Sequence, residues 1–362
     1  MEHNILYIGP YNEESHRGRY SLSNIRALIK AGHSLKIVPI YYIDEQFKET
    51  PEDLKEFENS SNNIDCDICI QHCDPLQYSF HSGFRKNIGI YTPVGLPDDP
   101  IINSRLKMLD NIIVNSLDLK EGLKNIVPKN ISDNIRYCPK YIDIAKIKNA
   151  HKEKLDWTDP SRYYFYAELT FDDQYDWEKL LYVYITTFMN KRSGLIIKTY
   201  GLDNKNKIDY VKNTIESIAI GANIKPDPES MPKVLTGIYS EEDTIKVYNS
   251  INCFIDCIRT YDYNDNIFMA AALGKDLICN NKLPSSNFFD STYRVGANRC
   301  NLNIKTHHDI ISCTMYSTYY SMDTNSLRDN MLMSYINRSS DLDLHTNELD
   351  QYDISHINDI LC

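Results

Sequence analysis

Short apolar runs, each four to eight residues long and set off by polar sequence, constrain this chain more than any other feature. They cover 4–10, 35–42, 66–71, 87–91 and 111–114. Runs of this length that are continuously apolar read as strands buried on both faces, because a half-exposed strand would alternate with period two. Between the first two runs, 23–31 carries Ile25, Leu28 and Ile29 at helical spacing and is closed by Gly32. Buried strands alternating with helices predict a mostly parallel, doubly wound α/β sheet. A hydrophilic stretch, 146–162, interrupts the pattern, which then restarts. Strands are expected at 163–167, 194–200, 233–238, 252–257 and 276–279, with helices at 177–188, 209–220, 243–250 and 266–273. The expected division is 1–150 and 151–335 for two Rossmann-like domains, then a C-terminal helical segment at 336–362. From about Thr306 the periodicity is weak and its helices are not placed.

Composition narrows the partners. Hydrophobic residues make up 42% of 362, enough for two cores. Fifty acidic against 39 basic side chains give a net charge of −11, so a general nucleic-acid coat would meet repulsion, although a local basic groove is allowed. No run approaches the ~18 apolar residues of a membrane span, and the first 20 residues hold Glu2, Glu13, Glu14, Arg17 and Arg19 instead of a signal-peptide core. A cytoplasmic protein with free thiols is expected from this and from ten scattered cysteines. Cys66, Cys69, His72 and Cys73 have the spacing of a zinc half-site, but residues three apart on a strand face opposite ways, and no metal site is expected.

Ligands of doubly wound sheets bind beyond the strands' carboxyl ends, so two such domains would set these ends on the walls of one cleft. The first loop, 9–19, reads GPYNEESHRGR: Gly9 and Gly18 would let backbone approach a ligand, and Arg17 and Arg19 add positive charge beside a helix N-terminus. Neither a Gly-x-Gly-x-x-Gly fingerprint nor a Gly-Lys-Ser/Thr phosphate loop is present, which disfavours dehydrogenases and P-loop enzymes.

Several segments carry a resemblance. Residues 27–35 (ALIKAGHSL), 67–75 (DICIQHCDP), 86–92 (KNIGIYT), 110–116 (DNIIVNS), 138–143 (CPKYID), 195–201 (LIIKTYG) and above all 252–278 occur in one order. In this the chain resembles the retaining GT-B glycosyltransferases, a group with sucrose and trehalose-type synthases, and is most similar to short phage- or virus-encoded members. The resemblance implies two Rossmann-like domains facing a cleft, with a C-terminal helix crossing back. It implies transfer of a hexosyl or pentosyl group from a nucleotide diphosphate sugar to an acceptor hydroxyl, with retention and without a metal. That donor is the co-substrate, with no other cofactor. The acceptor would be a glycan, a virion protein or a modified DNA base, and the oligomeric state is left open.

The donor half departs from the family pattern. The family's two acids, separated by seven other residues, fall on Tyr261 and Met269, with Asp262 beside the first. The loop that should carry an Arg and a Lys reads ELTFDDQYD at 168–176, whose four acids would repel a diphosphate. The residues that remain as donor-binding candidates are Lys198, Arg259, Tyr261, Asn264 and Asn266, with Asp262 a catalytic candidate. His72 matches a position near the acceptor hydroxyl, where an imidazole can accept or orient a proton; the alternative is a strand-end histidine bonded to a backbone carbonyl. Thr92 joins Gly9, Arg17, Gly18 and Arg19 as acceptor-side loop residues. The lost acids motivate a second reading, a catalytically inactive GT-B relative that binds a glycan, nucleotide or protein. His307-His308 reads as a solvated pair.

Overall fold

A computed structural model describes residues 2–13, 16–41, 48–58, 65–91, 100–125, 127–140, 142–150, 152–199, 205–225, 228–237, 239–260, 266–305, 314–338 and 346–353. The chain divides into two compact units, 1–142 with 303–317 and 351–362, and 143–302 with 318–350.

The first unit alternates strands and helices: β1 (Asn4–Gly9), α1 (His16–Lys30), β2 (Ser34–Pro39), α2 (Lys55–Glu58), β3 (Ile68–Gln71), β4 (Lys86–Tyr91), α3 (Pro100–Leu106), β5 (Asn111–Val114), α4 (Leu117–Lys124), α5 (Lys129–Ser132) and β6 (Ile135–Tyr137). Its six strands pair in parallel in the order β2-β1-β3-β4-β5-β6. All four residues of β3 and of β5 are buried, as expected for strands covered on both faces.

The second unit opens with α6 (Ile144–Asn149) and continues through β7 (Tyr163–Glu168), α7 (Trp177–Phe188), β8 (Ser193–Lys198), α8 (Lys205–Gly221), β9 (Lys233–Leu235), α9 (Glu241–Ser250), β10 (Cys253–Asp256), α10 (Asn266–Ala272), β11 (Asp276–Asn280) and β12 (Tyr293–Val295). Its parallel sheet runs β12-β11-β10-β7-β8-β9. The fold is therefore α/β, two parallel six-stranded sheets with flanking helices. Every residue of β7 and β8 is buried, and α7 seals one face with Leu180, Leu181, Tyr184 and Phe188.

Differences from the sequence reading have local causes. α1 begins at His16 and not near residue 23, because its first turns are polar and basic and carry no apolar periodicity. β6 has only three residues, below the length at which a run stands out. Beyond β12, residues Ala297–Lys305 (β13) and Thr314–Met322 (β14) form a two-stranded sheet that the polar sequence did not announce. α11 (Thr324–Asn337) is capped by Asp323, whose carboxylate accepts from the Ser326 N–H at 2.8 Å. It ends at Arg338, which takes a left-handed φ of 39°. After it the described residues hold only the four-residue α12 (Thr346–Leu349) and a 3-10 turn, and the Ile142 N–H donates to the Tyr352 carbonyl at 3.0 Å. Residues 306–313, with His307-His308, lie outside the described residues.

A buried polar triad fastens α11 to the second sheet. The Asp276 carboxylate, at the start of β11, accepts from the Tyr163 hydroxyl at 2.9 Å and from the Ser334 hydroxyl at 2.7 Å. Removing one donor leaves a buried carboxylate short of a charge-assisted hydrogen bond, worth about 1.5–3 kcal/mol. Ser334→Ala should therefore lower the unfolding free energy by about 2 kcal/mol, read as a lower urea midpoint at unchanged slope.

Candidate functional site

In each sheet the strand order reverses once, between β1 and β3 in the first and between β7 and β10 in the second. At such a point the connections leave in opposite directions and open a crevice beyond the strands' carboxyl ends. The residues just past β1, β3, β7 and β10 are therefore the candidates, taken one unit at a time.

In the first unit Gly9 ends β1 and His72 follows β3, its N–H donating to the Ile8 carbonyl at 2.8 Å. The imidazole is fully buried, with Nδ1 2.9 Å from the Tyr7 hydroxyl and the Tyr20 ring edge-on at 5.1 Å. It bonds a tyrosine hydroxyl, then, and not a backbone carbonyl. Nε2 is buried and has no hydrogen-bond partner among the described residues. Burial pushes the Tyr7 pKa well up, so the hydroxyl keeps its proton. A hydroxyl proton directed at Nδ1 would place the ring proton on Nε2, where the imidazole presents an N–H donor. Burial first, then the charges of Arg17 and Lys140, hold the His72 pKa well below its usual value. The imidazole is thus neutral.

Arg17, Gly18 and Arg19 lie in the first turns of α1 and not in a loop. Both glycines are explained by close packing: a Cβ on Gly9 would stand 2.6 Å from the Ser21 hydroxyl oxygen and 2.8 Å from the Tyr7 ring, and one on Gly18 would overlap the Glu13 carbonyl. Thr92 lies outside the described residues. Lys140, 2% exposed, has its ammonium 5.5 Å from the centre of the same Tyr20 ring that meets His72. Sequence reasoning missed Tyr7 and Lys140. A phenol inside the apolar β1 run was a readable signal for the first; nothing marked the second.

The cysteines nearby are poor metal ligands. Cys69 and Cys73 are buried, and burial pushes their thiols up to about 12, away from the thiolate a metal needs. Among the described residues no group of three or more His, Cys, Asp or Glu could hold a metal ion.

In the second unit Glu168 ends β7, 3% exposed, and accepts from the Tyr166 hydroxyl at 3.2 Å and from the Asn266 amide at the start of α10. Lys198 ends β8 in register with Glu168, and its ammonium lies 4.0 Å from the Tyr239 ring centre. Asp256 ends β10, 1% exposed; a carboxylate closing an apolar strand was a legible signal that the sequence reading passed over. Arg259 is held within the unit: its guanidinium Nε is 3.6 Å from the Asp176 carboxylate, and its other nitrogens donate to the Asp173 carbonyl and the Cys300 sulfur. Tyr261, Asp262 and Asn264 lie outside the described residues. Phe268 packs on Phe288 and Phe289, and Met269 is half-buried.

The acids of 168–176 do not form an open negative loop. Glu168 belongs to a strand and is buried. Asp172 folds the turn, accepting from the Thr170 hydroxyl at 2.6 Å and the Gln174 N–H at 2.9 Å. Asp176 accepts from the Ser321 hydroxyl at 2.6 Å and the Met322 N–H at 2.7 Å, which ties the base of α7 to β14. Asp173 is the exposed one. Three of the four carboxylates expected to face a diphosphate are thus engaged within the fold, and Asp173 is the one left exposed.

Two measurements follow from His72. Its folded pKa is depressed, so its contribution is present above the unfolded value near 6.5 and is lost as pH falls below that, by up to ~1.4 kcal/mol per pH unit. Urea midpoints measured from pH 7 to 5 should fall less steeply for His72→Asn than for the wild type. Nitrogen-15 spectra of labelled histidine should show His72 protonated on Nε2 and a mixed or reversed tautomer in Tyr7→Phe; an unchanged tautomer would remove Tyr7 from this role.

No protein-family model matches the sequence, and no curated protein is significantly similar to it. Solved structures are similar over the whole chain. A glycosyltransferase from Rickettsia africae is 12% identical with a TM-score of 0.60, covering 99% of both chains. HepE from Anabaena, solved in complex with UDP, is 10% identical with a TM-score of 0.61, covering 100% of this chain and 98% of its own. A UDP-forming α,α-trehalose-phosphate synthase from Burkholderia xenovorans is 10% identical with a TM-score of 0.63, at 100% and 98% coverage. The chain has the α/β fold of these GT-B glycosyltransferase structures, with its polar strand-end residues at the two points of reversal.

Proposed function

We propose that the chain is a glycosyltransferase that moves a hexosyl or pentosyl group from a nucleotide diphosphate sugar to an acceptor hydroxyl. The observation that carries this reading is the full-length likeness to a structure solved with UDP. Buried polar groups at both strand-order reversals add support. In this reading the second unit takes the donor. Lys198 and Arg259 meet the charge that develops on the departing diphosphate, without a metal, and Asn266 and the neighbouring Tyr261, Asp262 and Asn264 contact the donor. The first unit takes the acceptor, with the Nε2–H of His72 donating to an oxygen of the bound sugars while Arg17 and Arg19 add positive charge. A neutral imidazole with its proton on Nε2 orients an oxygen and does not remove a proton from it. Retention of configuration and a viral-type origin rest on the sequence resemblance alone, as do the acceptor classes of glycan, virion protein and modified DNA base.

One observation favours the second reading, a non-catalytic relative: Arg259 is engaged by Asp176, and Asn266 by Glu168. A donor must then compete with contacts already made. The two readings separate in a screen of UDP-, GDP-, ADP- and CMP-sugars by thermal shift and donor hydrolysis. The enzyme reading expects at least one donor to raise the melting temperature and to be slowly hydrolysed. Binding without hydrolysis or transfer favours the inactive relative, and no binding at millimolar concentration overturns both nucleotide-based readings.

A further inference from the structure

The opposite edge of the first sheet, where β4, β5 and β6 begin, holds a second feature. A groove of about 560 Å³ opens there, lined by Arg85, Lys86, Lys107 and Arg136 against one acid, Asp110. The Asp110 carboxylate is occupied by the Asn87 N–H at 2.7 Å, and Arg85 is paired with Asp67 at 3.1 Å. Among the described residues no carboxylate pairs with Lys86, Lys107 or Arg136. The floor adds side-chain amides from Asn111 and Asn134 over the buried Leu109 and Ile131.

This is an inversion of local charge in a chain whose net charge is −11. Cations that share a concavity raise one another's energy, and the cost is relieved by a counter-ion that touches several at once. The helices that end beside the groove do not supply it. α3 has seven residues and α5 has four, and a helix carboxyl end offers at most about half a counter-charge. The sheet edge also separates this groove from the reversal point, since ligands of such sheets bind at the strands' carboxyl ends and these are the amino ends.

We propose that this groove is an anion site that binds a ligand carrying several phosphate charges, held by Lys86, Lys107 and Arg136 and aligned by the asparagine amides. Its chemistry is shared by a small polyphosphate and by a phosphodiester chain. The proposal does not depend on the glycosyltransferase reading, because the residues are distinct and the test needs no turnover.

The test is calorimetric titration of the full chain with inorganic tripolyphosphate and, separately, with a short oligothymidylate, at 50 and 200 mM salt. Tripolyphosphate should bind in the micromolar range at the lower salt. Affinity should fall at least tenfold in Lys86→Gln/Lys107→Gln/Arg136→Gln, with the salt slope reduced by about one for each cation removed. Oligothymidylate binding more tightly than tripolyphosphate at the same site assigns the source to a polymer, and weaker binding to a small anion. His72→Asn should leave the affinity unchanged. Should the triple variant fail to fold, Arg136→Gln alone, at an exposed position, should still weaken binding about threefold. No binding of tripolyphosphate at millimolar concentration, or equal binding by the variants, overturns the proposal.

Discussion

Burial of both faces of the two parallel sheets is the constraint on which the rest depends. A strand covered on both sides has no solvent face for polar groups, and an unpaired polar group in its middle would cost several kcal/mol. Polar residues are therefore driven to strand ends. Gln71, Glu168, Lys198 and Asp256 are each the last residue of a strand, and His72 is one beyond. The same burial that stabilises the sheets concentrates chemistry at their carboxyl edges, where the reversal of strand order leaves room for a ligand.

At both reversal points the buried polar groups are partly engaged, and each keeps a buried side-chain nitrogen that makes no hydrogen bond among the described residues, His72 Nε2 in the first unit and Arg259 Nε in the second. In the second unit Glu168, Asn266, Arg259 and Asp176 are linked to one another or to backbone, so a ligand there must exchange contacts rather than fill empty ones. In the first unit the Tyr7–His72 pair is satisfied on one ring nitrogen only. An orphaned buried polar atom costs about 1–3 kcal/mol, and with His72 fully buried a ligand would reach it only after the surrounding side chains move.

Much of the fold was legible because buried strands leave long apolar runs: α7 was read at its observed limits, and β5 likewise. Elements set by tertiary contact were not. The start of α1 depends on Gly18 passing close to the Glu13 carbonyl, which no periodicity reveals. β14 mixes polar and aromatic residues without a clear period, and its end is anchored by Asp176, over a hundred positions earlier. At the candidate site, His72 was visible as a strand-end imidazole, but its neutral state comes from its burial and from Arg17 and Lys140, and its one ring contact from Tyr7, all set by residues distant in sequence. The acidity of 168–176 was legible as composition, but not that Asp172 and Asp176 use their carboxylates to hold a turn and to anchor β14.

Hydrogen–deuterium exchange with and without a saturating nucleotide diphosphate sugar tests the central claim most directly, since it locates the donor instead of merely detecting it. The account predicts slowed exchange at the carboxyl ends of β7 and β10, in 168–176 and 256–260, and unchanged exchange at the amino ends of β4 and β5. Unaltered exchange in both carboxyl-end segments, or protection confined to the other edge, would contradict it.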